Sequence, residues 1–162
     1  MSVDLSGMQG FHDRIQALKN DIPEIMDQLA VGEGRYARDQ ARKICKEEKI
    51  HISGEYRRNF KSGTKSLRVG NSYKIDVYNN LDYASYVEYG FRSHFVPGHW
   101  EGHTFVHQRN DEAGGMYVGP YGGYVRGRFV LRRAVKRTEI TQAARLNRKM
   151  NQIINQRVNG RG

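Results

Sequence analysis

Apolar side chains recur along the first third of the chain at the spacing of a helix. From residue 11 onwards they follow one another at steps of three and four, which places them on one helical face. This apolar seam consists of Phe11, Ile15, Leu18, Ile22, Ile25 and Leu29. A second run with helical spacing extends from Tyr36 to Cys45. The pattern predicts a helical region over residues 9–49, formed by one long helix or by a helix pair.

Two features interrupt this helical region. Pro23 lacks a backbone N–H, so it removes one helical hydrogen bond and predicts a kink or a new helix start near Asp21 to Ile22. Gly32 and Gly34 are poor helix formers and are expected to weaken the turn that contains them. Because the sustained apolar pattern is shorter than four heptads, a packed helix is expected and not a coiled coil.

The pattern changes to a period of two after the turn signal Ser53-Gly54. Three segments, Tyr56–Phe60, Ser66–Val69 and Tyr73–Tyr78, alternate in the manner of antiparallel strands. Gly70-Asn71 lies between the last two and predicts a hairpin turn. The sequence therefore predicts an antiparallel sheet after the helical region.

The segment Leu81–Gly90 fits two structures. As a helical turn, it places Tyr83, Val87 and Gly90 on one face; as a strand, it alternates its side chains between two faces. In either structure the carboxylate of Glu88 lies within a tyrosine-rich surface, and Gly90 permits a turn with positive φ. The segment closes a sheet region expected over residues 55–90, whose one face is hidden under the helices.

Residues 91–122 form the irregular part of the chain. They hold two of the three prolines and the single tryptophan, and show no steady period. Loops of this length without structure are uncommon in compact domains, and the aromatic side chains in this stretch argue against simple disorder. Those side chains are Phe95, Trp100, Phe105, Tyr117 and Tyr121. We expect an extended arm or a long β-hairpin that becomes ordered against a partner.

Residues 128–158 return to helical composition and predict a C-terminal helix with a strongly basic surface. Seven of its basic side chains are of particular interest for binding. They are Arg132, Arg133, Lys136, Arg137, Arg145, Arg148 and Lys149. With the preceding regions this gives one α+β domain over residues 1–162: an antiparallel sheet packed by a long N-terminal helix (or helix pair) and a C-terminal helix, with an extended arm inserted.

Composition adds a strong positive charge. The 27 Lys and Arg residues outnumber the 17 Asp and Glu residues, which gives a formal net charge of +10. A solvated surface explains such a charge, and so does contact with a polyanion such as DNA, since basic surfaces release counterions when they bind phosphate. The charge alone leaves both interpretations open.

The single cysteine and the absence of long apolar runs bear on location. Cys45 has no second cysteine for an internal disulfide and is expected to be a reduced, buried small hydrophobe. No run approaches the roughly 20 apolar residues of a membrane span. The N-terminus lacks the basic and apolar segments of a secretory signal. We expect the chain to stay in the cytoplasm in which it is made.

Three histidines suggest a metal site that other features argue against. His99, His103 and His107 are spaced by four residues, which on a helix could bring them together as zinc ligands. The prolines and glycines around them make a helix improbable, whereas a strand would place His99, Glu101 and His103 on one face. The string does not match the zinc-hydrolase motif, and the chain contains no glycine-rich phosphate loop. We predict surface or interface histidines, with no metal, no cofactor and no enzymatic activity.

Four segments, in order, resemble one known family. Tyr83–Gly90, with the sequence YASYVEYG, resembles its signature YA-x-YVE-[YF]-G. Ser53–Phe60 resembles an upstream element, and Gly123–Leu131 resembles a downstream element that opens the last helix. The leading amphipathic helix also fits. The family is that of the head–tail junction proteins (neck or tail-completion proteins) of long-tailed phages and prophages, typified by a minor structural protein of a lambdoid phage.

The resemblance implies a structural virion protein that forms a ring at the head–tail junction, assembled in the cytoplasm of the bacterial host. Such a ring is sixfold, or twelvefold if it follows the portal, and joins the portal-side connector to the tail around the DNA channel. The expected subunit-interface residues are Tyr83, Tyr86, Val87, Glu88, Phe95, Trp100, Phe105, Tyr117 and Tyr121. The seven basic side chains of the C-terminal helix are the candidates for facing the genomic DNA in that channel, without sequence specificity.

A second hypothesis rests on the charge and the histidines. A basic nucleic-acid-binding protein, or a metal-dependent nuclease, would also carry a large positive charge. A structural ring protein should form closed oligomers without nucleic acid, whereas a DNA-binding protein should gain order only when DNA is added.

Overall fold

The computed structural model describes residues 6–50, 54–108 and 114–158, and its helices and small antiparallel sheets confirm the α+β class. In chain order its elements are α1 (Ser6–Glu47), α2 (Glu55–Arg58), β1 (Phe60–Ser62), β2 (Leu67–Val69), β3 (Ser72–Lys74), β4 (Val77–Asn79), α3 (Ala84–Tyr89), β5 (Gly90–Arg92), β6 (His94–Glu101), β7 (Thr104–His107), β8 (Gly115–Val118), β9 (Tyr124–Arg126) and α4 (Val130–Val158). They divide into two compact units: the first comprises the chain up to Asn80 together with α4, and the second spans Leu81–Phe129.

The first helix, α1, is a single helix of 42 residues with Pro23 inside it. At 1.5 Å per residue it is about 63 Å long. The predicted new helix start near Asp21 to Ile22 is therefore wrong. Pro23 leaves the carbonyl of Lys19 without its helical donor, but both residues are exposed, so water can satisfy that carbonyl.

Gly32 and Gly34 of α1 also differ from expectation. They do not end or interrupt the helix; they lie where other parts of the first unit approach it closely. A Cβ added at Gly34 would lie 2.7 Å from Cγ1 of Ile75, and one added at Gly32 would lie 2.9 Å from Nζ of Lys149. At Gly34, which faces the branched side chain of Ile75, the absence of a side chain therefore allows close packing, and this offsets the low helix propensity of glycine.

Helix α4 runs antiparallel to α1, and the ion pairs between them show the register. Arg137 Nη1 lies 2.9 Å from Glu47 Oε2 near the C-terminal end of α1, and Arg157 Nη1 lies 2.7 Å from Asp21 Oδ2 at the other end of α4. The core of the first unit is formed along this seam. It contains Ile25, Leu29, Val31, Ala37, Ala41, Ile44, Cys45, Tyr56, Phe60, Val130 and Ala134, all buried. The expected burial of Cys45 is confirmed.

The first unit contains two small sheets in which β1 pairs with β4 and β2 pairs with β3. Gly70-Asn71 forms the predicted turn, since Val69 is paired with Ser72. The predicted strand Tyr56–Phe60 is wrong, because Tyr56 lies in the short helix α2. Tyr56 and Phe60 are four residues apart, so a helical turn puts both rings on one face; both are buried, with ring centroids 5.0 Å apart.

The third predicted strand, Tyr73–Tyr78, is interrupted. Ile75 and Asp76 lie between β3 and β4, where Ile75 packs against Gly34 of α1. The start of the hairpin is held to the same helix, since Ser66 donates its backbone N–H (2.7 Å) and its hydroxyl to Asp27 Oδ1. The hydroxyl and then the N–H of Ser66 lower the pKa of the Asp27 carboxyl. Ser53, the first residue of the predicted turn, lies outside the described residues.

The second unit begins with α3, so the open choice for Leu81–Gly90 is resolved in favour of a helix. Strand β5 pairs with β9, and β6 lies between β7 and β8 in a three-stranded sheet. Strands β6 and β7 form a hairpin, with Glu101 paired with Thr104. Most of the predicted arm over residues 91–122 is therefore sheet; residues 109–113 of it lie outside the described residues.

Candidate interaction surfaces

Two of the segments that resemble the phage family are joined by backbone contacts within the second unit. The backbone N–H of Arg128 donates to the carbonyl of Val87 (2.8 Å), and that of Phe129 donates to Glu88 (3.0 Å). The segment carrying the YASYVEYG sequence and the segment that precedes α4 are thus held side by side.

The glycines of these segments permit that contact. Gly90 has φ +82, and a Cβ added to it would lie 2.6 Å from the backbone nitrogen of Gly127. The hydroxyl of Tyr124 donates to the carbonyl of Tyr89 at the same place. Backbone meets backbone here with no room for a side chain, which gives the glycines of both segments a physical role.

The predicted interface residues fall into exposed and buried groups. Five aromatic side chains are exposed, and they belong to α3, to strands β6 and β8 and to the turn after β8. They are Tyr86, Phe95, Trp100, Tyr117 and Tyr121, at 50–82% exposure. Tyr83, Val87 and Phe105 are half-buried, and Glu88 is buried. Their role at a subunit interface stays a prediction.

The exposed aromatic side chains form two clusters within the three-stranded sheet and its following turn. The ring centroid of Tyr117 lies 5.4 Å from that of Phe95 and 4.7 Å from that of Tyr121. Trp100 and Phe105 stack edge to face across the β6–β7 hairpin at 5.3 Å. Large exposed apolar groups that contact each other are typical of protein-binding surfaces.

Three basic side chains of α4 pair with acids of α1 or of the residue that follows it. Arg133 pairs with Glu48, Arg137 pairs with Glu47, and Arg145 pairs with Glu33. The side chains of Arg132, Lys136, Arg148 and Lys149 are exposed. The surface of α4 that could face a polyanion is therefore narrower than the composition of the helix suggests.

The Arg145 contact is the most buried of these ion pairs. Its guanidinium donates from Nε to Glu33 Oε1 (3.1 Å) and from Nη2 to Glu33 Oε2 and to the carbonyl of Thr138 (3.0 Å). Its Cζ lies 3.6 Å from the ring centroid of Tyr36. The exposed fraction of the side chain is 18% for Arg145 and 7% for Glu33. The hydrogen bonds to Glu33 raise the pKa of Arg145.

The sequence contains a signal for this ion pair that the pattern of apolar residues alone does not show. Glu33 lies four residues after Leu29 and four before Ala37, so it puts a charge on the apolar face of α1. A charged residue at such a position is rarely buried without a partner of opposite charge. Arg145 lies seven residues after Thr138 on the inner face of α4, where it meets that requirement.

The histidines are separated by the hairpin. His99 lies on β6, His103 lies in the turn and His107 lies on β7, so no single strand carries His99, Glu101 and His103 on one face. The two-residue turn Gly102-His103 reverses the chain between β6 and β7. His99 Nε2 lies 3.2 Å from Glu101 Oε1. Among the described residues, no group of three or more His, Cys, Asp or Glu side chains is placed to hold a metal ion.

Comparison with known proteins gives the family of the chain. A family model described as "Bacteriophage HK97-gp10, putative tail-component" matches residues 9–90, just over half of the chain. The chain belongs to this HK97-gp10-like family of phage tail components. No curated protein and no solved structure matches it significantly. In the described part of the chain, no helix has the length and apolar character to cross a membrane.

Membership in this family gives the general function of the protein. The protein is a structural component of bacteriophage tails, which places it in the virion and implies contacts with other tail or connector proteins. The family also indicates a protein without enzymatic activity.

The buried ion pair leads to a prediction about stability. Replacing Arg145 by Ala leaves the carboxylate of Glu33 buried without its partner, so we expect the free energy of unfolding to fall by about 3–5 kcal/mol. The matched control is Arg157→Ala, which removes an exposed partner of Asp21 on the same helix and should cost no more than about 1 kcal/mol. Urea denaturation of both variants measures the difference. Equal, small losses would show that the Glu33–Arg145 pair does not stabilise the packing of α4 on α1.

Proposed function

We propose that the protein forms a ring at the head–tail junction of a long-tailed phage, as a neck or tail-completion protein. The ring joins the portal-side connector to the tail and surrounds the channel through which the genome passes. Its symmetry is sixfold, or twelvefold if it follows the portal. The subunits are made and assembled in the cytoplasm of the bacterial host.

The observation that carries this proposal is the match of residues 9–90 to the phage tail-component family. The order of the four resembling segments supports a place at the head–tail junction. Exposed apolar surface supports assembly. Trp100 is 58% exposed and Tyr121 is 82% exposed, and large apolar side chains that are exposed next to each other are typical of protein-binding surfaces. Subunits of a ring meet through two different patches, so each must carry complementary surfaces.

The excess positive charge fits a place beside the DNA channel. A wall that passes a polyanion needs weak, sequence-independent attraction, because tight contacts with bases would hold the genome back. The exposed cations of α4 suit that use. Arg133, Arg137 and Arg145, which were candidates on composition, already pair with acids of α1 or of the residue that follows it. Lys136, Arg148 and Lys149, whose side chains are exposed, are the ones we assign to phosphate contact.

The alternative function, a basic nucleic-acid-binding protein or metal-dependent nuclease, rests on the charge of +10. The separation of the three histidines by the β6–β7 hairpin gives the nuclease no support. A DNA-binding protein that is not part of the junction would leave particle assembly intact when it is lost, so the two functions differ in their consequences for the virion.

The junction function predicts the phenotype of a phage that lacks this protein. With a nonsense codon early in the gene, the encoding phage should accumulate DNA-filled heads and finished tails that do not join. Addition of the purified protein to the lysate should restore joined, infectious particles. Electron microscopy and plaque counts measure both effects. Complete virions in the absence of the protein would refute the proposal.

The channel assignment predicts a change in the salt dependence of DNA binding. We expect the triple variant Lys136→Gln, Arg148→Gln, Lys149→Gln to make the slope of log K against log salt less steep, by up to about 2.7. The control variant Lys19→Gln, Arg35→Gln, Lys46→Gln removes the same charge from exposed positions of α1. Fluorescence anisotropy with two unrelated duplexes measures slope and specificity. An equal change in both variants, or a preference for one sequence, contradicts the assignment.

A further inference from the structure

The positive charge of the chain is confined to the first unit. Of the 27 Lys and Arg residues, 23 belong to this unit and four to the second; of the 17 Asp and Glu residues, 12 belong to the first unit and five to the second. The formal charge is therefore +11 for the first unit and −1 for the second. A surface that attracts a polyanion through excess charge is accordingly expected on the first unit.

Within the first unit, the segment that contains α2 and the first three strands has cations without acids. The 18 residues from Arg57 to Lys74 include six Lys and Arg and no Asp or Glu, and all six are exposed. None of the six forms an ion pair with another described residue, in contrast to three arginines of α4. Lys65 lies near the Asp27 carboxylate. The six are Arg57, Arg58, Lys61, Lys65, Arg68 and Lys74.

Strand geometry places two of these cations on one face together with a tyrosine. Exposure alternates without exception along residues 72–79, and Ile75 packs against α1, so the even-numbered side chains of this stretch point away from α1. Lys61 of β1 is directly opposite Tyr78 of β4. We call this surface the outer face of the first unit. It consists of Lys61, Leu67, Val69, Ser72, Lys74, Asp76 and Tyr78.

We propose that the outer face binds the phosphates of duplex DNA without sequence specificity. Lys61 and Lys74 supply the charge and are about 13 Å apart, since four residues at 3.3 Å separate Lys74 from the partner of Lys61. The hydroxyls of Ser72 and Tyr78 lie on the same face and are donors of the kind that accompany cations at phosphates. Asp76 offsets one of the two lysines, which leaves the face with a net positive charge.

A face of one dominant charge sign fits a polyanion better than it fits solvent alone. On α1 the cations alternate with acids, and on α4 three of them pair with acids, whereas residues 57–74 carry cations only. DNA is attracted by spread positive charge and needs no matching side chains, and a phage tail component is part of a particle that carries DNA. The inference rests on the proposed DNA channel but uses a surface other than α4, so each can fail without the other.

Photo-cross-linking in the full chain tests whether DNA lies on the outer face. The photoreactive residue p-benzoylphenylalanine replaces Tyr78 in one variant and Tyr121 of the second unit in the control. Tyr121 is 82% exposed and Tyr78 is 39% exposed, so random collisions would favour the control. We expect a fluorescent duplex to cross-link to position 78, with only background cross-linking at position 121. Equal cross-linking of both, or none at position 78, overturns the proposal.

The salt dependence of duplex binding tests the charges. Lys61→Gln with Lys74→Gln should make the slope of log K against log salt less steep by up to about 1.8. Lys61→Arg with Lys74→Arg keeps both charges and should keep the slope of the parent. The matched control, Arg14→Gln with Lys19→Gln, removes two exposed charges from α1 of the same unit and should change the slope less. Circular dichroism shows whether each variant is folded as the parent is.

The results that contradict the proposal also separate it from the other assignments. A parent-like slope in the folded Lys61→Gln, Lys74→Gln variant, together with a changed slope in the α4 triple variant, overturns the outer face and leaves the α4 assignment standing. A parent that binds no duplex at low salt overturns both. Neither result bears on the junction function, which the phage phenotype tests.

Discussion

The packing of α4 against α1 is the interaction on which the first unit depends. It buries the apolar seam from Ile25 to Ile44 and ends in ion pairs at both ends of α4. Apolar burial is not directional, so it does not by itself fix how far one helix slides along the other. The Glu33–Arg145 pair can do so, because both charges lose water on burial and only one register satisfies them. The position of α4 along α1 also shapes the apolar cleft lined by Met26, Leu29, Leu146 and Met150, since these two helices form two of its walls.

The second unit is organised by a different constraint, the close approach of backbones. Gly90 and Gly127 let the segment after α3 lie against the segment before α4, with hydrogen bonds from Arg128 and Phe129 completing the contact. Beyond them, the three-stranded sheet carries aromatic side chains outward instead of into a core. The first unit thus exposes the apolar side chains of Met8, Phe11, Ile15 and Ile22 on α1. The second unit exposes the aromatic side chains of its three-stranded sheet. Both are features of a subunit whose apolar surface exceeds what its own fold can bury.

The sequence predicted the elements whose pattern is long and regular. The helical seam predicted α1, the basic helical run predicted α4, and Gly70-Asn71 predicted its turn, because each depends on local spacing. The strand assigned to Tyr56–Phe60 was wrong, since two aromatic side chains four residues apart also fit a helical turn, and packing against α1 decided between them. Of the candidate sites, the exposed aromatic residues could be foreseen. The pairing of Arg137 could not, because its partner Glu47 lies 90 residues away in sequence. The position of Glu33 on an apolar face signals that it needs a partner, but it does not show that this partner is Arg145, 112 residues further along the chain.

The central claim is that packing against α4 stabilises α1 from Ile25 onwards. Hydrogen–deuterium exchange of the full chain tests this most directly. Exposed helix turns without tertiary packing open easily, whereas packed turns exchange slowly. The account predicts that amides of residues 25–47 exchange slowly, while those of residues 8–20, beyond the level that the described part of α4 reaches, exchange fast. Equal protection of the two stretches would contradict it.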